Sequence, residues 1–210
     1  MHVRARRSHG RRNDPLSWAP AVTSSATAIV LSPEIVLRNY FHAKDENRPQ
    51  LLTRVFEPSA ELVVVSGTST ISFPARTVGR EAITDVLVRD FARTYENIYS
   101  FYLQRPMAKA EAFSCHWLVV MSDKDSKSAR MGCGRYDWLF SKLAPHLATH
   151  LTITIDAMKV LPPAELSHVL SWVRGLDYPW STAEQVARLA PRNEPLTPVP
   201  RHLATYDSGV

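Results

Sequence analysis

From residue 95 onward the hydrophobic period of this chain switches from 3.6 to 2 and keeps that value through four runs, 95–104, 112–122, 129–141 and 149–160. Alternation over so many residues reads as consecutive strands, the middle two joined by a polar turn from Ser122 to Ser128. Strands that follow one another through turns pair antiparallel, and a sheet of that extent must bury at least one face. The segment before residue 95 supplies the cover. Ser32-Pro33-Glu34 is a helix start: a serine cap, a proline in the first turn and an acid at the positive end of the dipole. Val36, Leu37, Tyr40 and Phe41 then recur at helical spacing. Arg48-Pro49 opens a short second helix carrying Leu51, Leu52, Val55 and Phe56, which Pro58 stops. Leu62 to Val65 and Thr70 to Phe73 read as a hairpin around a Gly-containing turn. Gly79-Arg80-Glu81 opens a third helix with Ile83, Val86, Leu87 and Phe91 along one side.

Helices, a hairpin, another helix and then a run of strands give an α+β fold with a curved antiparallel sheet, a cone wrapped around the N-terminal helices. Strands and helices do not alternate as a doubly wound nucleotide fold requires, and the 7 glycines are too scattered for a phosphate loop. Three parts are expected: a flexible basic leader over 1–30, the α+β domain over 31–161, and a helical extension with a Pro-rich tail over 162–210. In the last part Leu166, Val169, Leu170 and Val173 align on a helix over 164–175, Ser181 is placed to cap a further short helix, and the chain from Pro191 is expected to be extended.

Composition narrows the class. A chain of 210 residues that is 45% hydrophobic is neither disordered throughout nor collagen-like, and it holds no apolar run of membrane-spanning length. The net charge of +5 belongs to the first twelve residues, where Arg4, Arg6, Arg7, Arg11 and Arg12 occur with no acid; residues 13–210 have 20 basic and 20 acidic residues. No basic patch interleaved with aromatics follows, so neither nucleic acid nor a membrane is expected as a partner. Cys115 and Cys133 are too few for a disulfide scaffold, which points to a reducing, cytoplasmic setting, and they read as small buried hydrophobes. Eight histidines without ligand spacing offer no metal site.

Three stretches together resemble the nuclear transport factor 2-like superfamily, in its polyketide-cyclase-like (SnoaL-like) branch. They are Leu37 to Val65, the Thr77-Val78-Gly79-Arg80-Glu81-Ala82-Ile83 helix entry, and Leu151-Thr152-Ile153-Thr154-Ile155-Asp156. The resemblance covers about residues 31–161. It implies a cone open at one end to a small hydrophobic molecule, a homodimer through the outer sheet face, and no obligatory cofactor. It leaves the chemistry open, because fold does not choose among isomerases, dehydratases, hydrolases, cyclases and non-catalytic binding or assembly modules.

Strand parity selects the candidate residues. Phe113, Cys115, Trp117, Val119 and Met121 share one face, while Ser114, His116, Leu118 and Val120 share the other. Leu151, Ile153, Ile155 and Ala157 form an apolar face, leaving His150, Thr152, Thr154, Asp156 and Met158 opposite. The resemblance implies an acid on the last strand, which falls on Asp156, with His116 as its acid–base partner if the two strands lie close. It also implies a tyrosine donor from the first helix, which falls on Tyr40. Tyr136 and Trp138 share a face with Gly132 and Gly134, a pattern that suits either a pocket wall or a bend in the sheet. The isomerase base is missing, since residues 62–65 are Leu-Val-Val-Val, and the hydrolase Arg-Asp pair is replaced by Ser114 and His116. Two functions follow: proton-transfer chemistry (dehydration, isomerisation or cyclisation) on a hydrophobic oxygenated substrate, or a non-catalytic ligand-binding or assembly module.

Overall fold

A computed structural model describes residues 30–191 together with Val199 and Leu203. Helix α1 (Pro33–Asp45) starts where the sequence places it, with the Ser32 hydroxyl accepting from the Ile35 N–H at 3.4 Å. The second helix is shorter than expected. It is a single 3-10 stretch, Pro49–Arg54, and the chain has already entered strand β1 (Phe56–Ser66) at Phe56. Pro58 does not stop a helix; it lies in the part of β1 where the register to its neighbour shifts between Phe56 and Glu61, a place that needs no ladder N–H from it.

The hairpin partner also differs. Strand β2 (Arg76–Val78) pairs antiparallel with β1 through Glu61–Val78, Leu62–Thr77 and Val63–Arg76, so 70–73 is not the second strand. Residues 67–75 instead form a loop whose Ile71 and Phe73 turn toward the core, where Phe73 stacks on Phe91 at 6.2 Å. Side chains that both seek the interior cannot also alternate along a ladder. The Thr70 hydroxyl, donating to the Met158 carbonyl at 2.8 Å, ties the loop to the sheet. A continuous helical run follows: α2 (Arg80–Thr84), a π-type stretch Asp85–Arg89, and α3 (Asp90–Thr94).

The four remaining strands match the period-2 runs closely: β3 (Tyr95–Tyr102), β4 (Ala112–Asp123), β5 (Ala129–Phe140) and β6 (Ala148–Leu161). The sheet order is β2-β1-β6-β5-β4-β3, curved and unclosed. It is mixed rather than wholly antiparallel, because β1 pairs parallel with β6. The meander β3 to β6 is antiparallel as expected. The helical crossover that separates β1 from it brings β6 back alongside β1 in the same direction.

One face of the sheet holds α1 and the α2–α3 run, and their shared core includes Leu37, Tyr40, Phe41, Trp117, Tyr136 and Trp138. The opposite face is not bare. Leu118, Val120, Met131 and Cys133 are buried under α4 (Leu166–Arg174) and α5 (Ala183–Leu189), with Val169, Trp172, Val173 and Val186 as cover. Val199 and Leu203 are buried in the same cluster. Thr182, not Ser181, caps α5, accepting from the Gln185 N–H at 3.0 Å. The chain itself thus covers part of the outer sheet face, while Val65 of β1 and Leu139 of β5 remain exposed. Residues 1–29 and the Pro-rich stretch from Arg192 lie outside the described residues, apart from Val199 and Leu203, and with them most of the basic leader. Among the described residues no helix is long and apolar enough to cross a membrane.

A bulge in β6 decides where the last strand aims its side chains. Cys133 pairs with Ala157 and Gly134 with Ile155, so Asp156 is the extra residue. Before the bulge Leu151, Ile153 and Ile155 face the inner core; after it Met158 does, while Ala157 and Leu161 turn to the outer cluster. Parity had grouped Met158 with Asp156, and the inserted residue reverses that. Gly134 makes the bulge possible, for a Cβ there would collide with the Thr154 carbonyl and lie 2.8 Å from the Trp117 ring.

Candidate functional site

The interior of the cone is almost filled. Tyr40 is wholly buried, with Trp138 at 5.1 Å and Tyr136 at 6.0 Å, both meeting it edge-on. Phe41 stacks on Tyr102 at 3.9 Å, and Tyr102 stacks on Trp180 at 4.8 Å. What remains is a cavity of about 50 Å³, walled by Trp117, Val119, Tyr136, Ile153, Ile155 and Met158 from the sheet, Tyr40 and Lys44 from α1, and Phe91 from α3. Ile71 and Phe73, from the loop after β1, also line it. Those two residues and Phe91 also line a groove of about 250 Å³ on the far side, which reaches Asp90 and Tyr95.

Two of the expected binding residues, Tyr40 and Tyr136, lie on the cavity wall; Trp138 stands behind Tyr40, stacked on Phe56 at 5.9 Å. Neither Asp156 nor His116 lines the cavity. Asp156 is the half-exposed bulge residue. His116 pairs with Arg135, which pairs with Thr154, so β5 separates the histidine from the acid and the register misses by two residues. Two strand spacings are roughly 10 Å, and the two groups do not converge on one void. The residues around His116 form a polar outer patch, in which the Ser114 hydroxyl donates to Asp137 at 2.5 Å and Arg135 donates to Asp137 at 3.0 Å.

The charged group that lines the cavity is Lys44, 5% exposed at the end of α1. Its ammonium donates to Asp45 Oδ1 at 2.5 Å and to Ser100 Oγ at 2.7 Å. Ser100, on β3, closes the network by donating its backbone N–H to Asp45 Oδ2 and its hydroxyl to Asp45 Oδ1, each at 2.9 Å. Burial pushes the Asp45 carboxyl above the ordinary carboxylate range, against the pull of the Lys44 charge and the Ser100 hydrogen bonds. Lys44 also lies 5.2 Å from the centre of the Phe91 ring and 5.6 Å from that of Phe41.

Sequence reading missed this network, although a signal was present. Lys44 stands four residues after Tyr40 and three after Phe41, on the same helical stripe as the apolar residues. A charged residue continuing an apolar stripe needs a buried partner, and Asp45 beside it with Ser100 on β3 supplies one.

The tyrosines are donors and not bases. Burial raises the Tyr40 phenol, an effect only partly offset by the Tyr136 hydroxyl, and burial lifts Tyr102 and Tyr136 well above the ordinary phenol value. The Tyr40 hydroxyl is buried and makes no hydrogen bond of good geometry among the described residues, while the Tyr136 hydroxyl near it lowers its pKa against burial. Burial likewise raises the Cys115 thiol, which leaves it un-ionised and inert near neutral pH. Among the described residues no three or more His, Cys, Asp or Glu side chains are grouped so as to hold a metal ion.

No protein-family model and no curated protein sequence matches the chain. Solved structures do. The likeness is to nuclear transport factor 2-like proteins. One from Salmonella enterica is 14% identical, with a TM-score of 0.48, over 59% of this chain and 88% of its own. One from Burkholderia xenovorans is 14% identical, with a TM-score of 0.43, over 63% and 91%. A third, the hexachlorocyclohexane dehydrochlorinase LinA-type3 from Novosphingobium barchaimii, is 12% identical, with a TM-score of 0.45, over 60% and 85%. At these identities the likeness concerns the path of the chain and not its activity.

Proposed function

We propose that the chain is a binding module for a compact hydrophobic molecule, held inside the cone behind Ile71 and Phe73. The observation that carries this reading is the cavity wall: aliphatic and aromatic side chains surround it, and the one charge that reaches it, Lys44, is already neutralised by Asp45. A wall of that kind favours burial of apolar surface. The proton transfer expected of Asp156 and His116 asks for a carboxylate or imidazole at the void, and none lines this one.

The cavity of about 50 Å³ is well below the roughly 150 Å³ that holds a benzene. A ligand therefore enters by displacing Phe73, which joins the cavity to the groove of about 250 Å³ outside it. Calorimetric titration with ethylbenzene tests this. The protein is expected to bind it weakly, and Phe73→Ala to bind it more tightly by about tenfold, because the ring no longer has to be moved. Absence of heat in both proteins would refute the reading.

A further inference from the structure

We infer that the ligand of this cavity carries a neutral hydrogen-bond-accepting oxygen, a ketone or ester-type carbonyl, received by Lys44 with Tyr40 beside it. The inference deepens the binding reading and rests on it. An ammonium has three N–H donors. Asp45 and Ser100 take two, and the third has no oxygen or nitrogen partner among the described residues. Lys44 lines the cavity and is more than nine-tenths buried, so water does not easily reach that donor. One helical turn earlier, Tyr40 presents a second buried donor without a well-aligned acceptor, on the same wall. Two unspent donors on one side of an otherwise apolar void call for an acceptor, because a buried donor left unmade is costly and one satisfied by a ligand is not.

Charge decides which acceptor. Lys44 and Asp45 form a neutral pair, each with side-chain exposure of 7% or less. A carboxylate ligand would bring an uncompensated negative charge close to Asp45 into a site that burial has already made unfavourable for anions. A neutral carbonyl accepts the same hydrogen bonds without that cost.

The test compares acetophenone, ethylbenzene and benzoate, which are similar in size and differ in the group offered, by calorimetric titration at pH 7. Wild type and Phe73→Ala serve as parents. Lys44→Met combined with Asp45→Asn removes both charges while keeping an acceptor for Ser100, and Tyr40→Phe removes one hydroxyl without disturbing the ion pair. The ratio of acetophenone to ethylbenzene affinity is expected to fall about tenfold in the double variant and several-fold in Tyr40→Phe. Benzoate is expected to bind more weakly than acetophenone. Both probes binding with a ratio that no variant alters would overturn the role of Lys44 and leave the cavity reading standing. Tighter binding of benzoate would overturn the preference for a neutral acceptor. No binding of any probe, in Phe73→Ala included, would instead remove the cavity reading beneath both.

Discussion

Lys44→Met removes the cation from a buried pair and is the most informative single change to stability. Asp45 then keeps its two hydrogen bonds from Ser100, both at 2.9 Å, but has lost the charge that compensates it. Its side chain is 3% exposed, so solvent cannot take over. Stranding one member of a buried ion pair costs about 3–5 kcal/mol. For a domain of this size that is roughly 6–20 °C in Tm. The loss depends on pH with a definite sign. Asp45 already has its folded pKa raised by burial, and removing Lys44 removes the strongest force that opposes this. A raised folded pKa favours the native state while the carboxyl is protonated and withdraws that support as pH rises through the folded value. The variant is therefore expected to gain stability relative to wild type as pH falls from 7 toward 5. Adding Asp45→Asn is expected to recover most of the loss at pH 7, since the amide oxygen still accepts from Ser100 without a charge. Urea unfolding at pH 7 and pH 5 reads all three quantities. A loss below about 1 kcal/mol that neither pH nor Asp45→Asn changes would refute the reasoning, because a solvated pair behaves that way.

Three further outcomes follow from the fold. Gly134→Ala is expected to cost about 2–3 kcal/mol in chemical denaturation, since a Cβ meets the Thr154 carbonyl at the β6 bulge; a neutral result would mean that the bulge shifts freely. Trp172→Ala should cost about 3–5 kcal/mol and increase self-association in sedimentation, because it uncovers Leu118 and Val120 on the outer sheet face; an unchanged monomer–dimer balance would mean that this cover is dispensable. Asp156→Asn is expected to leave ethylbenzene affinity within about twofold, the residue being absent from the cavity wall; a tenfold loss would restore it to the site.

Periodicity and caps carried the fold a long way. The four strands from Tyr95 to Leu161 follow from alternation alone, and α1 begins at Pro33 because Ser32 and Pro33 signal a start that local chemistry enforces. What eluded sequence was non-local. Nothing in residues 56–66 says that β1 will run parallel to a strand some ninety residues later, and Ile71 and Phe73 look like strand residues until the core claims them. The bulge at Asp156 is a single inserted residue, invisible to a parity count, yet it moves Met158 across the sheet. Parity put Leu118 and Val120 on the face opposite Trp117, but did not say that α4 and α5 would cover them. At the site Tyr40 and Tyr136 were legible as large residues on inward faces. Lys44 carried only the weaker signal of continuing the Tyr40–Phe41 stripe, because a lysine beside an aspartate at a helix end ordinarily reads as solvated surface, and β3 arriving with Ser100 is what makes it buried.

Xenon-pressurised crystals offer the most direct view of the void, since a dry apolar cavity takes up xenon and a hydrated one does not. One xenon site is expected among Trp117, Tyr136, Ile153 and Met158, behind Phe73. Ordered water bridging Lys44 and Tyr40 in that position, with no xenon, would contradict an apolar binding chamber.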